Sequence, residues 1–152
     1  MSKSQIIIWG YLAEIFLASL VLALLLFFYD ARQIADFLKP LASDIATYFS
    51  NLMFAASIAF LWAFYTKSDT PFGKWLYEKG AFQIYLTAYI VALSIYALLS
   101  LLLLVTSKVN NMLLSLFTFW VLLLGLINAY TFFRNIIGQW LLNMEFNRRH
   151  DS

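Results

Sequence analysis

Glu14 is the residue whose type and setting call for chemistry. It is the only acidic or basic residue inside four apolar runs: Ile6 to Tyr29, Tyr48 to Tyr65, Ala81 to Val105 and Met112 to Phe133. A charged residue near the centre of a membrane helix costs about 2.5–3.5 kcal/mol on insertion scales, so such residues face a bundle interior or a wet cavity. Apolar surroundings also disfavour the charged form of a carboxylate, which makes Glu14 a candidate for binding a proton or attracting a cation. One such glutamate per subunit would form a ring in a homo-oligomer, a simple cation-selective element. The plainer reading is a glutamate neutralised or hydrogen-bonded in place. Asn51, Gln83, Thr87 and Asn128 are the polar residues able to reach it from other helices.

The remaining catalytic inventory is thin. There is one histidine, His150, near the end of the chain, and no cysteine. Paired His or Cys ligands for a transition metal or a b-type haem are therefore missing. No general base stands within the apolar runs to activate a serine, and five scattered glycines form no phosphate loop. No enzyme, cofactor or metal is expected.

The elements that position Glu14 follow from composition. Residues are 63% hydrophobic, 19% aromatic and 12% charged, far from soluble domains, where about a quarter are charged. Crossing a hydrocarbon core of about 30 Å takes about 20 apolar residues in a helix, and the four runs satisfy this, the second only just. A helix apolar all round has no face to give to water, which argues against a soluble all-α protein. The first run is too long for the apolar part of a signal peptide and reads as a retained helix. The expectation is an all-α, integral membrane four-helix bundle with short interfacial amphipathic helices, forming one transmembrane domain over residues 1–152. Its spans are 6–29, 48–65, 81–105 and 112–133, with a tail over 134–152.

Between the runs, Asp30 is a candidate helix cap, and Ile34, Phe37, Leu38 and Leu41 fall at helical spacing. They predict a short amphipathic helix lying in the outer interface and broken near Pro40. Asn51, Ala55, Ala59 and Ala63, in steps of four, predict a close helix-packing face on span two, and Gly125 and Ala129 do the same on span four. Asp69-Thr70-Pro71 is a helix-start signature, and Gly80 a stop, for a short surface helix carrying Phe72, Lys74, Trp75, Leu76, Tyr77 and Lys79. Thr106 to Asn111 is short enough to force spans three and four into an antiparallel hairpin. Beyond Phe133, the apolar residues Ile137, Trp140, Leu141 and Met144 keep helical spacing. They predict either a cytoplasmic interfacial helix or an extension of span four.

Lys3, Lys67, Lys74, Lys79, Arg134, Arg148 and Arg149 flank one side of the spans, against Arg32, Lys39 and Lys108 on the other. Positive-inside reasoning places both termini and the middle loop in the cytoplasm, with a bacterial inner membrane as the expected location. Lys74, Trp75, Lys79, Arg134, Trp140, Arg148 and Arg149 are then candidate contacts for lipid headgroups or a soluble cytoplasmic protein. A net charge of +2 without a basic stripe argues against nucleic acid. Close-packing residues and a lone carboxylate point to a homo-oligomer.

Two resemblances bear on function. Leu12-Ala13-Glu14 is similar to the first-helix segment of small multidrug resistance transporters, which implies proton-coupled export of small cations through Glu14. The layout resembles more closely the four-span membrane subunits of two-component phage-exclusion systems of the Rex and Kiwa type. It carries an outer loop, a second span entered through Tyr48-Phe49-Ser50-Asn51, and a basic loop closing with Glu78-Lys79-Gly80. Val91-Ala92-Leu93-Ser94 then lies within a tightly paired third and fourth span. That resemblance implies an oligomeric inner-membrane sensor or exclusion subunit recruiting a soluble cytoplasmic effector in anti-phage defence, with an ion channel as the alternative output.

Overall fold

The computed structural model describes residues 3–150, all of them in helices or short connections and none in a strand. Met1, Ser2, Asp151 and Ser152 lie outside the described residues, as do the side chains of Lys3, Ser4, Ile6, Ile7 and His150. The helices are α1 (Lys3–Phe28), α2 (Ala31–Ile45), α3 (Asn51–Tyr65), α4 (Pro71–Lys79), α5 (Phe82–Lys108) and α6 (Met112–His150). A π-helical turn, Ala46–Ser50, joins α2 to α3. Four continuous helices are long and apolar enough to cross a membrane: α1, α2 with α3, α5 and α6.

α5 and α6 form the central hairpin. Asn111 starts α6 by accepting the Leu114 N–H at 3.1 Å, and Thr106 and Thr118 share a buried hydrogen bond of 2.8 Å just inside the turn. Further along, the Tyr96 hydroxyl donates to the Gly125 carbonyl at 3.1 Å, and the Tyr89 hydroxyl donates to Gln139 Oε1 at 2.8 Å. α2 packs across the hairpin near its turn and α3 runs on along α5, while α1 lies mainly against α6.

The segment around Pro40 departs from expectation. The helix does not break there. Ile34, Ala35, Leu38 and Ala42 are buried against α5 and α6, and the chain stays helical through Pro40. Proline in a helix interior costs about 3 kcal/mol. Leu38 and Ala42, both fully buried on either side of it, supply the packing that holds the helix across the missing hydrogen bond. Asp30 does cap the start, and its N–H donates to Gln33 Oε1 at 3.0 Å. With α3 the helix runs 35 residues, about 52 Å at 1.5 Å per residue.

The π turn explains how so long a helix keeps one face on α5. Leu38, Ala42, Ala46 and Ser50 are all fully buried and all four residues apart. In a regular α-helix each step of four drifts about 40° off line, because a turn is 3.6 residues. Widening the last step to an i→i+5 bond, made by the Asn51 N–H to the Ala46 carbonyl, turns the chain back against that drift. Ser50 then donates to the Tyr96 carbonyl at 2.9 Å and shares a 2.8 Å bond with Ser100, which itself donates to Asn51 Oδ1 at 2.8 Å.

α4 begins and ends on its signals. Thr70 Oγ1 accepts the Gly73 N–H at 3.1 Å, Pro71 occupies the first turn, and Gly80 closes the helix at φ 65°. α6 does not stop at Phe133. It continues unbroken for 39 residues, so the second of the two expected arrangements is the one found.

Candidate functional site: a buried carboxylate and a composite helical end

Glu14 points into the bundle and is only 7% exposed. α1 gives it to α6, where Asn128 Nδ2 donates to Glu14 Oε2 at 3.0 Å. One and a half turns further along the same contact, Trp120 Nε1 donates to Ser19 Oγ at 3.0 Å, and Ser19 Oγ donates to the Ile15 carbonyl at 2.8 Å. These two bonds fix the rotation of α1 on α6. Gly125 lies one turn before Asn128 and accepts from Tyr96, whose own carbonyl accepts from Ser50. A polar belt therefore crosses the apolar body from α1 through α6 and α5 to the π turn.

The belt is closely packed. A Cβ added at Gly125 would stand 3.0 Å from Leu99 Cδ2 and 3.7 Å from Tyr96 Cε1. Asn128 is 2% exposed, and its Oδ1 is buried without a hydrogen-bond partner. Of the four polar residues able to reach Glu14, the structure selects Asn128. Asn51 pairs instead with Ser100, Gln83 is exposed, and Thr87 is half-buried on α5.

Ala55, Ala59 and Ala63 do not pack within the chain. All three are exposed, as is Asn51, and the face of α3 that meets α5 carries Met53, Ser57 and Phe64. The small residues that bring this helix close to α5 are Ala42, Ala46 and Ser50, which the sequence reading passed over. Gly125 does lie in a close contact, and Ala129 packs against the core.

At the end of the body opposite the α5–α6 turn, the two elements expected to meet a partner meet each other. Phe146 of α6 lies against Phe72 and Trp75 of α4, each at a ring separation of 5.7 Å. Tyr77 stacks on Phe82 at 4.0 Å, and Phe64 stacks on Phe82 at 4.6 Å, which ties α4 to α3 and α5. Trp75 is thus taken up internally, while Lys74, Lys79, Arg134, Trp140 and Arg148 are exposed. Arg149 donates to Glu145 at 2.7 Å, and this hydrogen bond holds the Glu145 carboxyl below the usual carboxylate range. A cavity of about 200 Å³ opens beside this junction between Phe64, Lys67, Phe72, Gln139, Trp140 and Asn143. Ile137, Trp140, Leu141 and Met144 form an exposed apolar stripe on α6.

Arg32 and Lys39 gather with Asn110 and Ser115 near the α5–α6 turn, at the other end. The antiparallel contact of α1 with α6 places the start of α1 with the C-terminal half of α6. The basic residues are thus divided between two ends as the sequence count supposed. Compared with known proteins, the chain matches no family, no curated protein and no solved structure.

Proposed function

We propose that this chain is an integral membrane subunit that couples events in the bilayer to a soluble cytoplasmic partner. The observation that carries the reading is the single aromatic junction of Phe72, Trp75 and Phe146, which joins α4 to a helix running on from the apolar body. A displacement of α6 in the bilayer would move α4 with it, so the cytoplasmic surface would report on the membrane interior. Lys74, Arg134, Trp140, Leu141 and Arg148 lie exposed at that end. The layout resemblance supplies the class: an oligomeric sensor or exclusion subunit of an anti-phage system in a bacterial inner membrane, both termini cytoplasmic.

The test compares the full-length wild type with two surface variants, Lys74→Glu/Arg148→Glu and Trp140→Ser/Leu141→Ser, each purified from its native host after gentle solubilisation. A soluble protein retained in stoichiometric amount by the wild type and lost from a variant that still inserts supports the reading. A clean oligomer with nothing attached, in a host where the chain is active, overturns it.

The burial of Glu14 favours a second reading, a proton-coupled membrane protein that moves or responds to cations. It predicts that Glu14→Gln abolishes activity while leaving assembly intact.

A further inference from the structure

We propose that Glu14 and Asn128 form a closed carboxylic acid–carboxamide pair, with the proton on Glu14 Oε1 donated to Asn128 Oδ1, and that this pair is the protein's buried proton-binding site. The proposal does not depend on the cytoplasmic-partner reading.

The argument starts from the unpaired atom. Asn128 Nδ2 already donates to Glu14 Oε2 at 3.0 Å, and the amide oxygen beside it is buried with no partner. A buried acceptor left without a donor loses its hydration and gains nothing in return, so nearly all are satisfied in native structures. An ionised carboxylate has only acceptors to offer and leaves Oδ1 alone. A protonated one has a single O–H. When the amide N–H on the same side as the amide oxygen is the donor and the two groups lie in one plane, the other carboxyl oxygen faces the amide oxygen, and its proton closes an eight-membered ring of two hydrogen bonds. Exchanging the amide oxygen and nitrogen changes nothing essential. Oδ1 would then face Oε2, and two acceptors in contact again require a proton between them.

Charge points the same way. No lysine or arginine occurs in any of the four apolar runs, so an ionised Glu14 would have no cation to meet. Among the described residues, the phenols Tyr11 on α1 and Tyr96 on α5 lie within electrostatic reach. Tyr96 already gives its proton to the Gly125 carbonyl. On α6, Tyr130 is exposed, and Tyr48 and Tyr65 at the two ends of span two are exposed as well. The contents of the site are thus two neutral hydrogen-bonding groups or one carboxylate with nothing to balance it.

The test is infrared spectroscopy of the full chain in lipid bilayers across a pH series, with wild type, Glu14→Gln and Asn128→Leu. A carboxylic-acid carbonyl band at neutral pH, lost in Glu14→Gln and displaced in Asn128→Leu, is the expected result. Glu14→Gln should fold with an unchanged Tm, because a glutamine amide supplies the donor that Oδ1 needs. Asn128→Leu checks the pairing separately: its acid band should move to the frequency of a carboxyl without that partner. Absence of the acid band from the neutral wild type overturns the proposal. So does a carboxylate band that responds to added sodium or potassium, which would make the pair a cation site instead.

Discussion

At Gly125 a hydrogen stands where a side chain would press on Leu99 and Tyr96, both fully buried. An alanine there gains about 1 kcal/mol of helix propensity, and the 3.0 Å approach to Leu99 Cδ2 works against that gain. Gly125→Ala should therefore be close to neutral, whereas Gly125→Leu should destabilise by about 1–3 kcal/mol through overpacking. Thermal unfolding of the two variants in detergent checks the contrast, and equal Tm values for both would mean that α5 and α6 are not in close contact here. Glu14 and Gly125 were both legible in the sequence, one as the lone carboxylate of the apolar runs and one as a small residue in an apolar helix. The choice of Asn128 over Asn51, Gln83 or Thr87 was not. That choice depends on how α1 is rotated against α6, which is set by contacts such as Trp120 with Ser19, 101 residues apart.

Among the elements, the second long helix shows where pattern reading reaches its limit. Ala55, Ala59 and Ala63 repeat every four residues inside an apolar run, yet the chain buries Ala42, Ala46 and Ser50, at the same spacing, just upstream. Spacing alone cannot separate the two stripes. The π turn at Ala46–Ser50 decides in favour of the upstream one, and Pro40 made that segment look like the end of a helix. Since the helix already forms around Pro40, Pro40→Ala should restore a hydrogen bond and stabilise the fold, by up to about 3 kcal/mol. A lower Tm for this variant would mean that the proline ring contributes packing that outweighs the missing hydrogen bond. Gly73 in α4 is the opposite case. An added Cβ there would collide with the Lys67 carbonyl oxygen and stand 2.6 Å from that of Ser68, both backbone atoms. Gly73→Ala should therefore undock α4, read as faster amide exchange over residues 70–80 and a change in Trp75 fluorescence. The end of α6 should respond to pH through Glu145. Its carboxyl is held low by the Arg149 hydrogen bond, so its contribution is present above the ordinary glutamate value and is lost as pH falls through the lower, folded value. Amide protection over residues 145–149, taken relative to the intrinsic exchange rate at each pH, should fall in acid, and Glu145→Gln should remove that dependence.

For the whole molecule, the division of charge between two ends is the feature that would orient this helical bundle in a bilayer. Lys67, Lys74, Arg134, Arg148 and Arg149 belong to the end built by α4 and the last turns of α6, while Arg32 and Lys39 stand with Asn110 near the α5–α6 turn. In a bilayer, the richer end should remain in the cytoplasm. The sequence allowed this count without the structure, because each crossing switches side, so successive flanks alternate and an even number of spans returns both termini to the same side. It could not show that the loop helix and the tail form one body, which takes the aromatic contacts of Phe146 across 71 and 74 positions of chain. The absence of cysteine makes the orientation directly testable, since any thiol introduced is the only one present. Arg32→Cys and Lys74→Cys replace exposed residues at the two ends. In intact bacterial cells, a membrane-impermeant maleimide should label Arg32→Cys and spare Lys74→Cys until the inner membrane is opened. The reverse pattern would invert the topology and move the α4–α6 surface away from any cytoplasmic partner. Labelling of both in intact cells would show that the four apolar helices do not separate two compartments, and the membrane reading would fail with it.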